Sequence, residues 1–115
     1  MEKWSFGNDN DNLIKLVLDG KKTATTYIYN PNNIPLIGEQ SILVFDSGEE
    51  ACTIETTDYK ILKFKDIDEN LSNLEGEGSY EVWKNKHIEF FKKHYNNFTE
   101  DTEVVFEIFK LIKKH

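Results

Sequence analysis

Between Ser79 and Tyr95 the stretch "SYEVWKNKHIEFFKKHY" repeats large rings at threes and fours: Tyr80, Trp83, His87, Phe91 and Tyr95. On a helix capped by Ser79 these fall on one broad aromatic face. An aromatic face of that width has to be covered, and the other long apolar segments of the chain are strand-like. "TATTYIY" is rich in β-branched and aromatic residues and is ended by "NPNNIP"; "SILVFDSGEEACTIETT" is two strand-like runs around a Ser-Gly turn; "EVVFEIFKLI" alternates loosely near the C-terminus. "YKILKFKDI" either extends the second arm of the hairpin or begins another strand. A first, shorter helix is expected over "NDNDNLIKLVLDGKK", where Asx residues are available as caps, Leu13, Ile14, Val17 and Leu18 form the stripe, and Gly20 suits a left-handed end. The order helix, strand, hairpin, helix, strand predicts one α+β domain over residues 1–115. Its mostly antiparallel sheet would pair strands distant in sequence and curl into a small β-barrel with flanking helices.

Charge narrows the function. The chain has 115 residues and a formal net charge of -7. A protein that holds RNA mainly through phosphates needs a basic surface, since its affinity comes largely from counterion release. This chain as a whole repels a polyanion, which favours a small, weakly charged substrate. No apolar run of about 18 residues is present to span a membrane, and the N-terminal "MEKWSFGNDNDN" has no signal-peptide core. A cytoplasmic location is expected, with no membrane partner. The single cysteine, Cys52, lies in a strand-like run and is expected to be a buried small hydrophobe.

Few residues are arranged for chemistry. His87 and His94 are two helical turns apart and His115 stands at the C-terminus, which is no compact metal pattern, so no metal or other cofactor is expected. His87 is expected to pack between Trp83 and Phe91 with one nitrogen hydrogen-bonded, and His115 to fray. There is no glycine-rich phosphate loop and no G-x-S-x-G. What remains is "GKKTAT", Gly20 to Thr25, and "EGEG", Glu75 to Gly78. The lysines suit the negative end of a helix dipole, and the acids suit a solvated loop. A lysine, a hydroxyl and a carboxylate can also hydrolyse an amide without metal. The desolvated amine serves as base or nucleophile, the threonine attacks or orients water, and the carboxylic acid protonates the departing amine.

"WSFG", "LVLDGKKTAT", "IGEQSILVFD", "CTIETTDYKILKFKDI", "LEGEGSYEVWKNKHIEFF" and "FTEDTEVVFEIFKLI" follow the order and spacing of the ASCH domain, a member of the PUA-like superfamily, and the chain resembles that family over nearly its whole length. Its characteristic G-x-K-x-x-[ST] is met by Gly20, Lys22 and Thr25. The resemblance implies a PUA-like barrel with a cleft lined by this motif. It also implies one of two activities: hydrolysis of N4-acetylcytidine to cytidine and acetate, as in small stand-alone members, or RNA binding, with ribonuclease activity in another member. In the amidohydrolase branch the motif lysine, the motif threonine and a downstream glutamate act together. By position these are Lys22, Thr25 and Glu77, with Glu75 the alternative to Glu77.

For a modified nucleoside, Trp4, Phe6 or Tyr27 would stack on the base. For single-stranded RNA, Lys21 and Lys22 would contact phosphates while aromatics stack unpaired bases. On a regular strand Lys22 and Thr25, three apart, would face opposite sides. A shared site therefore requires regular pairing to begin after Lys22, with its amine near the Thr25 hydroxyl.

Overall fold

The computed structural model describes residues 1–115. Five strands and three helices follow in the order β1 (Glu2–Trp4), α1 (Asn10–Leu18), β2 (Ala24–Ile28), β3 (Gln40–Val44), β4 (Glu50–Lys63), α2 (Glu69–Asn73), α3 (Tyr80–His94) and β5 (Glu103–Lys114). The sheet order is β1-β3-β4-β5-β2. The hairpin β3–β4 and the long antiparallel ladders β4–β5 and β2–β5 match the expected topology. Together they form a curled, mixed half-barrel flanked by the helices.

β4 carries the curl. The "YKILK" segment continues its arm, and the ladder with β5 shifts register between Thr53 and Ile54 and again between Thr56 and Asp58. Each irregularity adds local twist and bends the strand, so one strand can serve two directions of the sheet.

Two elements were not anticipated. β1 pairs with β3 in parallel, which the α1 and β2 segments between them permit, since parallel neighbours need a long crossover. The five-residue α2 starts where Asp68 caps it by accepting from the Leu71 amide. α1 begins differently from expectation: Asp9, at its N-cap, has φ 53°, and its side chain accepts no bond from the helix backbone. Asn10 instead ties the helix start to its surroundings, accepting from the Phe6 amide at 2.7 Å and donating to the Val44 carbonyl at 3.0 Å. His115 is not frayed: its amide donates to Ala51 and its ring nitrogen lies 2.7 Å from the Thr53 hydroxyl, because β5 runs to Lys114 beside β4.

The core has two parts. Phe6, Ile14, Val17, Leu43, Cys52, Ile54 and Phe109 pack α1 against the sheet. Trp83 and Phe91 of α3 close on Ala24, Phe64, Ile67, Phe98, Val104 and Phe106. Each fully buried large side chain contributes about 1.5–3 kcal/mol, so the aromatic face of α3 is a principal source of stability. Cys52 is buried as expected, and burial pushes its thiol up to about 11, away from reactivity at neutral pH.

Candidate functional site

Lys21 and Lys22 part company at the end of α1. Gly20, with φ 76°, turns the chain, and ladder pairing with β5 begins at Ala24, after both lysines. Lys21 is exposed, whereas the Lys22 side chain is only 1% exposed and points inward. Its ammonium lies 3.0 Å from Glu75 Oε1 and 2.8 Å from Glu77 Oε2, and 5.2 Å from the centre of the Phe6 ring.

The "EGEG" segment explains how two carboxylates reach one amine. Gly76 has φ 66°, and a Cβ there would stand 2.4 Å from the Lys21 carbonyl oxygen. Only glycine permits both the left-handed turn and that backbone approach. The turn sends Glu75 and Glu77 to either side of Lys22, and Ser79 then caps α3 through the Val82 amide.

Glu75 is the hub. It is fully buried and accepts from Lys22, from the Thr26 hydroxyl at 2.7 Å and from the Trp83 indole at 2.7 Å, while His87 Nε2 stands 3.5 Å from Oε1. Burial by itself pushes the Glu75 carboxyl up, but Lys22, His87 and Thr26 outweigh it and hold the group well below the usual carboxylate range. His87 stacks on Trp83, and its Nδ1–H donates to the Trp83 carbonyl at 2.8 Å, so the nitrogen facing Glu75 is the one left to take a proton. Burial lowers the His87 pKa, yet the Glu75 contact and the nearby Glu77 charge raise it overall.

The Thr25 hydroxyl makes no hydrogen bond with Lys22. The hydroxyl that closes on the buried cluster is that of Thr26, because Lys22 and Thr26 share the inward parity of the chain. Thr25 faces the other way on β2 yet lines the same cavity as Lys22, Glu75, Glu77 and His87, a space of about 90 Å³. Thr25 also lines a second cavity of about 430 Å³, together with Trp4, Phe6, Tyr27, Tyr95 and Glu107. The residues singled out from sequence are thus gathered at two adjoining cavities, with Thr25 and Phe6 lining both. Lys21 is the exception and lines neither.

In the larger cavity the Tyr27 hydroxyl donates to Glu107 Oε1 at 2.6 Å and Thr56 donates to Oε2 at 2.8 Å. Burial first, then Glu107 and the charges of Glu39 and Glu2, hold the Tyr27 phenol well above its ordinary range. Thr26 and Glu107 did not stand out in the sequence, where they were legible only as alternating strand residues. Trp83 was legible only as a ring of a helical face, whereas His87 packs against Trp83 and Phe91 with one nitrogen hydrogen-bonded, as expected.

Glu75, Glu77 and His87 bring three metal-type donor atoms within 4.8 Å of one another. The cation between the two carboxylates is already supplied by Lys22, and a divalent ion there would have to displace a buried ammonium. The donor set therefore fits an organic ion-pair cluster better than a metal centre.

The model of the ASCH domain family matches residues 2–113. The chain belongs to the ASCH domain family. Among solved structures, this ASCH protein is similar to an ASCH domain from Lactobacillus crispatus, with TM-score 0.89 and 26% identity over 97% of this chain and 79% of that one. It is also similar to protein EF3133 from Enterococcus faecalis, with TM-score 0.87 and 24% identity over 99% of this chain and 81% of that one. A more distant likeness in fold is to an ASCH protein from Zymomonas mobilis, with TM-score 0.60 and 10% identity over 99% of this chain and 72% of that one. None of the curated proteins matches the sequence. The half-barrel with flanking helices is the ASCH fold of the PUA-like group, and no helix is long and apolar enough to cross a membrane.

Proposed function

We propose that this ASCH protein is a metal-independent amidohydrolase acting on an N-acylated nucleoside such as N4-acetylcytidine. The observation that carries the reading is the buried Lys22–Glu77 pair opening onto a cavity that the free Thr25 hydroxyl also lines. The smaller cavity suits an acyl group and the larger one a ring system. Lys22 enters as the ammonium of an ion pair rather than as a neutral base, which places it to stabilise negative charge developing on the acyl oxygen. Glu77 is the carboxylate with an oxygen to spare, since only its Oε2 is engaged, by Lys22, whereas Glu75 has its two oxygens taken by four neighbours.

In the proposed sequence the Thr25 oxygen adds to the acyl carbon as Glu77 takes the hydroxyl proton. The C–N bond then breaks, with that proton passing to the departing nitrogen. Water attacks the acyl-threonine, again giving a proton to Glu77, which returns it to the threonine oxygen as the acid leaves. The RNA-binding reading of the same cleft would be served by cations around both cavities. Lys86 and Lys22 line the smaller one, but no lysine or arginine lines the larger, which favours the nucleoside.

The test is incubation with a panel of N4-acylated cytidines followed by chromatography. Release of cytidine and the free acid is expected. An intact panel, together with salt-sensitive submicromolar binding of single-stranded RNA, would overturn the hydrolase in favour of the RNA module.

A further inference from the structure

Thr25 on β2 and Glu107 on β5 are direct partners across the antiparallel ladder, so their side chains leave the sheet on the same face. Tyr27, two residues on, shares that face and fixes one oxygen of Glu107, while Thr56 of β4 fixes the other. A carboxylate has about four acceptor positions, so Glu107 is held in orientation and still has capacity to accept two further hydrogen bonds. The larger cavity it lines has aromatic walls from Trp4 and Tyr27, and it is bordered by two further carboxylates, Glu2 and Glu39. No cationic side chain lines it.

Resting on the hydrolase reading, we propose that this cavity is the subsite for the amine half of the substrate. Glu107 is its specificity residue, selecting rings whose edge donates hydrogen bonds and whose charge is zero or positive, against anionic forms of the same molecule. Aromatic faces and acceptor carboxylates both favour donor-rich or cationic groups. A phosphate would meet three like charges and no counter-charge. Placing Glu107 opposite Thr25 puts the recognised ring edge beside the hydroxyl that faces the acyl carbon, so recognition and attack share one pair of strands.

The test reads binding, not turnover. Cytidine and cytidine 5′-monophosphate are titrated into the intact protein and followed by Trp fluorescence and by amide shifts of β2 and β5. Cytidine is expected to bind at least about tenfold tighter than its monophosphate at low salt, with the gap closing as salt rises. Glu107→Gln keeps the shape but halves the acceptor capacity, and should weaken cytidine about tenfold. Glu39→Gln, at an exposed position whose side chain makes no hydrogen bond, should improve binding of the monophosphate and narrow its gap to cytidine. Thermal melts confirm that both variants are folded.

Equal or tighter binding of the monophosphate to the wild type would overturn the proposal. So would unchanged cytidine affinity in a folded Glu107→Gln, or no cytidine binding at millimolar concentration. Selective cytidine binding by a protein that leaves every acylated cytidine intact would uphold the subsite and remove the hydrolase. Hydrolysis without charge discrimination would do the reverse.

Discussion

The Lys22 ammonium stands 2.8 Å from Glu77 and 3.0 Å from Glu75, with its side chain 1% exposed, while the adjacent Lys21 is exposed and lines neither cavity. Neighbouring lysines at one helix end therefore have unlike consequences. Lys22→Met leaves a buried carboxylate without its main counter-charge and should cost about 3–5 kcal/mol. Lys21→Ala should change stability by less than about 0.5 kcal/mol. Urea titrations of both variants decide the matter, and equal midpoints would mean the buried pair contributes nothing.

The two threonines should separate in the opposite sense. Thr26→Val removes a donor from the buried Glu75 and should cost about 1–3 kcal/mol. Thr25→Ala removes a hydroxyl that no protein group engages and should cost less than about 1 kcal/mol, yet lower turnover of an acylated cytidine at least about a hundredfold. Full activity in Thr25→Ala would take the threonine out of the chemistry.

Gly76 and Gly20 both have positive φ, but only Gly76 is pressed against backbone. Gly20→Ala meets nothing within 4 Å and should cost the conformational term alone, about 1–2 kcal/mol. Gly76→Ala must also displace the turn that carries Glu75 and Glu77, so a larger loss is expected, together with loss of activity. Comparable thermal melts for the two would show that the close approach to Lys21 is unimportant.

Stability should respond to pH at both ends. Glu75 is held below its unfolded value of 4.5, so its contribution is fully present above that value and is lost as acid titrates the folded group. His87 is raised above 6.5, so its contribution is present in full below that pH and is lost as pH rises through the folded value. Melting temperature should therefore fall as pH rises above about 6.5 in the wild type, with a flatter profile in His87→Gln. Identical slopes would exclude a stabilising His87–Glu75 contact.

Local pattern was enough for α1, α3, the β3–β4 hairpin and the strand character of β2 and β5, because period and caps act over a few residues. It was also enough to mark Lys22 and the Glu-Gly segment as worth attention. Which carboxylate is buried, which threonine is locked and which is free were decided only by tertiary structure. Lys22 and Thr26 meet Glu75 across 53 and 49 residues of chain, and Trp83 and His87 reach it from a separate helix. Nothing in the spacing of "EGEG" distinguishes its two acids until Gly76 is pressed against Lys21. The pairing of Thr25 with Glu107 depends likewise on β5 returning between β2 and β4, a register set by the packing of the whole sheet. A sequence displays the periods that short-range geometry imposes, but a buried charge acquires its role from the partners that folding brings to it.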